Sequence, residues 1–372
     1  MKILLVITGL GVGGAERLVT ALADYYVSQG HDVMLVLFHG DTELCPVDSR
    51  VRVVNLNMKR NPFGVIGALS RLRRLIGEFQ PEVVNSHLVH ANILTRLLRL
   101  VTPMRCLISS AHNTNEEGRL RMLAYRLTDR LADISTNVSE EAVQAFQDQG
   151  ALCPGRMLAI HNGIDTEDFV FDQAARDRIR TELSVGDSIP LIIAVGRLWE
   201  PKDYPNLLNA MSGLARRSFE FRLAIIGDGQ LRSELKALAQ SLGIAGQVDF
   251  LGVRHDIPAL MSACDVFVLS SAWEGFGLVV AEAMSCERIV VATDSGGVRE
   301  VVGGAGYLVE PRDSEALSGA IGQALGLSDA ERKLMGEAAR ARVVEKFSLA
   351  ATADRYLAVF RGETPQIAED SR

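Results

Sequence analysis

No stretch of this 372-residue chain approaches the roughly 18 consecutive apolar residues that a membrane-spanning helix requires, although 48% of its residues are hydrophobic. Cysteine is scarce: the five, at 45, 106, 153, 264 and 286, show neither a C-x-x-C nor a histidine-spaced pattern. That argues against a disulfide framework or a zinc site and fits free thiols in a reducing, cytoplasmic compartment. Aromatic residues make up only 6% and the net charge is −7, so bases would find few rings and an acidic surface; no nucleic-acid partner is expected. The chain has no Asp-x-Asp triplet to hold a divalent cation on a diphosphate, and no metal or cofactor is expected. The opening run, Met1-Lys2-Ile3-Leu4-Leu5-Val6-Ile7-Thr8, leads into a glycine-rich turn instead of a cleavage site and reads as a first strand.

What is present is alternation. The length suits two domains of ordinary size. Strand-like runs alternate with helical patterns from end to end, which predicts an α/β protein with two parallel, doubly wound sheets. Strands are expected at 3–7, 33–38, 83–86, 107–110, 134–137 and 157–160, then at 191–195, 223–226, 248–251, 266–269 and 289–292. Turn chemistry at His161-Asn162-Gly163-Ile164-Asp165 and a polar stretch to Asp187 put a boundary near 170–188, giving domains at 1–170 and 188–347. Ser328-Asp329-Ala330-Glu331 is a capping box opening a helix; a last helix spans 348–362, and 363–372 reads as a disordered tail. Between residues 57 and 130 twelve Lys and Arg face five acids, a local +7, while the rest carries −14. With apolar residues interleaved, as in Leu94-Thr95-Arg96-Leu97-Leu98-Arg99-Leu100, this block could rest on an anionic membrane surface or form a solvated arginine face on packed helices.

The strongest chemical signal is Glu274-Gly275-Phe276-Gly277-Leu278-Val279-Val280-Ala281-Glu282, two carboxylates eight positions apart around a Gly-Phe-Gly turn. It lies between a buried strand and a helix, so the helix N-terminus faces the carboxyl edge of a sheet, where ligands of open α/β sheets bind. The N–H groups of Gly277 and Leu278 could hold a diphosphate there, while Glu274 and Glu282 accept hydrogen bonds from sugar or ribose hydroxyls. In the loop Gly196-Arg197-Leu198-Trp199-Glu200-Pro201-Lys202, Arg197 and Lys202 are spaced to clamp a diphosphate leaving group and stabilise the charge that develops as a glycosidic bond breaks.

Gly9-Leu10-Gly11-Val12-Gly13-Gly14 formally satisfies the dinucleotide pattern G-x-G-x-x-G. An NAD site also needs an acid closing the second strand about 20 residues on, and only Asp41, past two turn-like residues, stands there. Gly13 and Gly14 equally let backbone approach a phosphate or sugar at a helix N-terminus. His112 follows a strand of the first sheet at its carboxyl edge. His87 and His90, after the preceding strand, and Asn113 are candidates for the acceptor side, not for a metal.

Gly13-Gly14-Ala15-Glu16-Arg17, His112, Asn162-Gly163-Ile164-Asp165, Gly196-Arg197 with Lys202, Gly227-Asp228-Gly229, and Glu274 to Glu282, in this order over nearly the whole chain, resemble the family 4 retaining glycosyltransferases of the GT-B fold. The resemblance implies two Rossmann-like domains facing across a cleft, the first for the acceptor and the second for the nucleotide sugar, with the last helix crossing back. It places Arg197, Lys202, Gly277 and Leu278 on the donor diphosphate, Glu282 on the ribose, Glu274 on the donor sugar, and Gly13 and Gly14 over the phosphates. His112 would lie near the anomeric carbon. Front-face attack, with the leaving phosphate taking the acceptor's proton, would need neither a protein nucleophile nor a metal.

The resemblance further implies a bacterial enzyme of O-antigen, capsule or other envelope polysaccharide synthesis. It would move a hexose or N-acetylhexosamine, UDP favoured as the nucleotide, to a free or polyprenyl-diphosphate-linked saccharide at the inner face of the cytoplasmic membrane. Lys202-Asp203-Tyr204-Pro205 stands where many members have Lys-Gly, so base and sugar preference carry over less well. The alternative readings are a UDP-sugar 2-epimerase on the same fold, an NAD enzyme, and a non-catalytic sugar-nucleotide scaffold.

Overall fold

Two all-parallel sheets organise the computed structural model, which describes residues 1–11, 13–40, 44–114 and 118–363. The first contains β1 (Lys2–Ile7), β2 (Asp32–Leu37), β3 (Arg52–Asn55), β4 (Val83–His87), β5 (Leu107–Ser110), β6 (Ile134–Asn137) and β7 (Met157–Ala159), ordered β3-β2-β1-β4-β5-β6-β7. The second contains β8 (Leu191–Val195), β9 (Arg222–Ile226), β10 (Val248–Gly252), β11 (Val266–Leu269), β12 (Ile289–Thr293) and β13 (Tyr307–Val309), ordered β10-β9-β8-β11-β12-β13.

Strands covered by helices on both faces read as continuous apolar runs. In β1, Ile3, Leu5 and Ile7 pack on one face and Leu4 and Val6 on the other, all fully buried. Each such side chain contributes at most about 1.5–3 kcal/mol by leaving water. The sequence reading omits β3 and β13. Both are edge strands of three or four residues with no buried residue, Arg52-Val53-Val54-Asn55 and Tyr307-Leu308-Val309, so their apolar stretches are too short to stand out.

The order reverses beside the first strand of each sheet, between β1 and β4 and between β8 and β11. At such a switch point the connections leave to opposite faces and open a crevice at the carboxyl ends of the strands.

The chain divides into two units, Met1–Gly163 with the segment from Leu349, and Ile164–Ser348. Residues 170–188, read as a boundary, belong to the second unit. They contain the helix Gln173–Glu182, capped by Asp172. Arg176 and Arg180 of this helix pair with Asp265 at 2.6 and 3.1 Å, so a charge pattern that looks solvated is a clamp ahead of β11. Burial alone would raise the Asp265 pKa, but Arg176, the Leu191 N–H and Arg180 hold it below its ordinary value.

The capping box at Ser328 opens the helix Asp329–Phe347. The final helix, Leu349–Phe360, belongs to the first unit: Thr352 Oγ1 donates to the His161 carbonyl at 3.0 Å, and Phe360 packs on Tyr26. Asp41 and residues 364–372, most of the expected disordered tail, lie outside the described residues. Among the described residues no helix is long and apolar enough to cross a membrane.

Candidate functional site

In the second unit, the loops leaving β8 and β11 meet at the switch point. The first runs through Gly196 and Arg197 into a 3-10 turn, Glu200–Lys202, and the helix Tyr204–Arg216; the second runs through Glu274 into the helix Leu278–Ser285. Lys202 Nζ donates to Glu274 Oε1 at 2.5 Å, and Ser271 Oγ donates to the same oxygen at 2.6 Å. The two side chains are only 18% and 14% exposed. A pair held this far from water depends on its geometry, because neither charge can fall back on solvent.

Main-chain contacts place the pair. Ala272 N–H donates to the Pro201 carbonyl at 2.8 Å, Ser270 Oγ to the Lys202 carbonyl at 2.9 Å, Thr293 Oγ1 to the Ser271 carbonyl at 2.6 Å, and the Tyr204 hydroxyl to the Gly196 carbonyl at 3.0 Å. Ser271, Thr293 and Tyr204 escape sequence reasoning because their roles depend on which carbonyl or carboxylate lies opposite.

Two glycines shape the second loop. Gly277, with φ 84° and ψ 48°, is the left-handed cap from which the helix starts. Gly296, with φ +60°, lies so close that a Cβ there would stand 1.9 Å from the Glu274 carbonyl oxygen. Gly297 N–H donates to the Gly275 carbonyl at 3.2 Å, so the loop after β12 presses on the Glu274 loop from behind. The first amides of the helix, Leu278 among them, have no acceptor within it and sit at the positive end of its dipole.

Glu282 is buried on this helix, whereas Arg197 is exposed with its guanidinium 5.4 Å over the Trp199 ring. The Arg197 loop is fixed by Gly196 N–H to the Ile226 carbonyl at 2.9 Å and Leu198 N–H to the Asp228 carbonyl at 3.0 Å. The Gly227-Asp228-Gly229 segment therefore supports it. The hydrogen bonds thus join Lys202, Glu274 and Ser271 directly and leave Arg197 at the exposed surface of its loop.

In the first unit, Gly13 caps the helix Gly14–Ser28 in extended conformation. The Glu16 carboxylate lies over Gly13, and burial raises the Glu16 pKa. His87 ends β4 and His112 follows β5, and the two imidazoles meet, Nδ1 of His87 to Nε2 of His112, at 3.1 Å. Burial pushes the His112 pKa down to about 4; burial and the His112 ring hold His87 well below its ordinary value. Both are neutral at pH 7. Twenty-five residues separate them, and the only sequence signal of their meeting is that both close adjacent strands.

His90 and Asn113 do not join this pair. Leu88, at φ 72°, turns the chain into the helix Val89–Leu98, where His90 is exposed. Asn113 is also exposed, its carbonyl accepting from Asn137 Nδ2 at 3.1 Å. The basic block changes as well: Arg96 is fully buried, donating to Ser109 Oγ at 3.0 Å and Ser135 Oγ at 2.8 Å while stacking on Tyr125. It is no surface cation.

Among the described residues no group of three or more His, Cys, Asp or Glu side chains is placed to hold a metal ion. Two parallel-sheet, Rossmann-like units make this an α/β protein with the architecture of the GT-B fold. The comparisons agree. Residues 12–168 match Glycosyltransferase Family 4 and residues 175–342 match Glycosyl transferases group 1. The chain is 32% identical, over 69% of its length and 70% of the relative's, to a GDP-mannose-dependent alpha-(1-6)-phosphatidylinositol monomannoside mannosyltransferase of Mycolicibacterium smegmatis. It is 24% identical, over 77% of each chain, to a UDP-Gal:alpha-D-GlcNAc-diphosphoundecaprenol alpha-1,3-galactosyltransferase of Escherichia coli. Its fold matches HepE of Anabaena, solved with UDP, at a TM-score of 0.85 and 22% identity, covering 97% of this chain and 100% of that one. The chain belongs to the group 1 glycosyltransferases with a family 4 N-terminal domain, and is an enzyme of that class.

Proposed function

We propose that the protein is a retaining, metal-independent glycosyltransferase that moves a hexose or N-acetylhexosamine from a nucleotide sugar, UDP favoured, to a saccharide carried on polyprenyl diphosphate in envelope polysaccharide synthesis. The observation that carries this reading is the Lys202–Glu274 pair at the switch point of the second sheet, in the loop that leads to the N-terminus of the helix Leu278–Ser285. Lys202, Arg197 and the amides of Gly277 and Leu278 take the diphosphate, where fixed positive charge acts most strongly as the leaving group gains charge. Glu282 takes the ribose and Glu274 the donor sugar. Because Glu274 Oε1 already accepts two short hydrogen bonds, the carboxylate is suited to binding a hydroxyl, not to attacking carbon. That supports retention without a protein nucleophile. Gly13 and Gly14 offer close backbone approach to a phosphate, and His112 offers a neutral imidazole to a substrate hydroxyl.

The two relatives' names specify different bases, GDP and UDP, but both specify acceptors on lipid, a phosphatidylinositol mannoside and a diphosphoundecaprenol saccharide. Thermal unfolding with UDP, GDP, ADP and NAD at equal millimolar concentration tests the donor. UDP alone is expected to raise the midpoint, by about 2.7 kcal/mol of stability at 100 times its Kd. A shift with GDP alone transfers the assignment to a GDP-sugar, and a shift with NAD alone overturns the reading. Incubation with UDP-N-acetylglucosamine alone separates transfer from 2-epimerisation.

The helix Arg119–Thr128 supports a place on the inner face of the cytoplasmic membrane. Leu120, Leu123 and Leu127, at i, i+3 and i+7, are 81%, 47% and 75% exposed on one face, beside exposed Arg119, Arg126 and Arg130. Outward leucines flanked by arginines suit an anionic lipid interface. The protein should float with phosphatidylglycerol vesicles, and the Leu120→Ser, Leu127→Ser double variant should partition about tenfold less. Equal flotation of the two would remove this surface from the assignment.

A further inference from the structure

We infer that the amino edge of the second sheet carries a binding site for a small phosphomonoester with free hydroxyl groups, in a cavity walled by Phe171, Glu287, Arg288, Arg332 and Lys333. The site lies within the second unit and does not rest on the donor assignment.

The cavity encloses about 220 Å³ at the starts of β11 and β12, which Asp265 and Arg288 immediately precede. Lys202 and Glu274 lie past the opposite, carboxyl ends of the strands. Pockets for drug-sized ligands begin at about 300 Å³, so the space suits a smaller molecule than a nucleotide sugar.

Two elements bring the cations together. Arg288 follows the helix Leu278–Ser285. Its guanidinium lies 4.4 Å over the Phe171 ring and donates from Nε to the Cys286 carbonyl at 2.7 Å and from Nη1 to the Cys264 carbonyl at 3.2 Å. Arg332, on the helix Asp329–Phe347, donates from Nε to the Leu327 carbonyl at 3.1 Å and from Nη2 to the Leu325 carbonyl at 2.5 Å. Carbonyls hold both side chains in place but bring no charge to match them, and among the described residues neither arginine has a carboxylate partner. Arg288 Nη2 and Arg332 Nη1 make no hydrogen bond there and are not among the buried unpaired atoms, so each is open to solvent. Burial draws the Arg288 pKa below its ordinary value, and an arriving anion relieves that cost.

Gly336 sets how the long helix meets the Arg288 loop. A Cβ at Gly336 would stand 2.6 Å from the Glu287 carbonyl oxygen, so helix and loop touch there. Arg332 and Lys333, four and three residues earlier, share that side of the helix. Lys333 is 76% exposed and 3.9 Å from Glu337, a contact too open to use up its charge.

The balance of charge selects the ligand. Of the two carboxylates that line the cavity, Asp265 is held by Arg176 and Arg180, whereas Glu287 has no ion pair among the described residues. Three cations against one carboxylate leave two positive charges uncompensated. A phosphomonoester carries nearly two negative charges at pH 7, a lipid phosphodiester only one and a zwitterion none. Glu287 repels a bare anion but accepts a hydrogen bond from a hydroxyl, so an ester of a small polyol engages all four groups.

The test is calorimetric titration of the full-length protein with glycerol 3-phosphate, inorganic phosphate and glycerol. Glycerol 3-phosphate should bind with a Kd below about 1 mM, phosphate about tenfold more weakly, and glycerol should give no heat. Lys333→Glu reverses a charge at the rim without touching the core and should weaken glycerol 3-phosphate about tenfold. Arg288→Gln should abolish measurable binding, and Lys333→Glu carries the test whether or not that variant folds. In Glu287→Ala, glycerol 3-phosphate and phosphate should bind alike. Lys202→Ala should bind glycerol 3-phosphate as the unaltered protein does. No binding to the unaltered protein overturns the inference, as does binding that Lys202→Ala loses and Lys333→Glu keeps, which would place the phosphate on the donor loops. Phosphate binding as tightly as glycerol 3-phosphate to the unaltered protein overturns the polyol ester as the ligand.

Discussion

Glu274→Ala and Lys202→Ala will each lower sugar transfer about 100-fold, the scale of a lost transition-state contact, while the second unit stays folded. Each substitution does two things: it removes a group proposed to bind the donor, and it strips its largely buried partner of the opposite charge. The pair sits in loops beyond the strand ends, so the core of the second sheet, built on residues such as Ile192, Leu223 and Val268, is untouched. The double variant should lose less than the product of the two single effects, because the partners share one interaction. Comparing kcat/KM with the melting temperature for all three variants checks this. Near-normal turnover in both single variants would remove Lys202 and Glu274 from the site.

The second large effect is expected at an uncharged residue. Gly296→Ala should destabilise the second unit by about 3 kcal/mol, since alanine must adopt a left-handed backbone and its Cβ must displace the Glu274 carbonyl. Transfer should fall with stability, because the carbonyl that moves belongs to Glu274, the residue proposed to bind the donor sugar. Gly319 supplies the contrast: it lies within the helix Ser314–Leu325 with nothing within 4 Å of a Cβ, so Gly319→Ala should raise stability by up to about 1 kcal/mol. Thermal melts of the two variants should therefore move in opposite directions, and a neutral Gly296→Ala would show that the loop after β12 yields freely.

Much of this was legible in the chain because strands of a doubly covered sheet announce themselves. The apolar run of β1 or β11 needs no partner to be recognised, and a glycine-rich or charged loop directly after one marks the carboxyl edge. That position is what makes Arg197, Lys202 and Glu274 candidates. What the chain hides is contact between segments. β3 and β13 are hidden because their apolar stretches, Val53-Val54 and Tyr307-Leu308-Val309, are only two and three residues long. The charges of 173–182 looked like a solvated linker because their partner, Asp265, lies more than 80 residues on. Arg96 looked like a surface cation for the same reason, its hydroxyl partners being on β5 and β6. His87 and His112 were each visible alone, but their bond follows only from β4 and β5 being neighbours.

The return of the helix Leu349–Phe360 to the first unit has a bearing on the order in which the protein is made. Ala353, Tyr356, Leu357, Val359 and Phe360 complete the same core as Ile3, Leu5 and Ile7 of β1. The ribosome thus delivers the whole of the second unit, continuous from Ile164 to Ser348, before the last piece of the first. Domains fold as units during synthesis, so the second can close as it emerges, while the first waits with the side of the helix Gly14–Ser28 that meets Phe360 uncovered. The unit begun first is finished last, and during that interval its apolar surface is open to chaperones and to its own neighbours on the polysome.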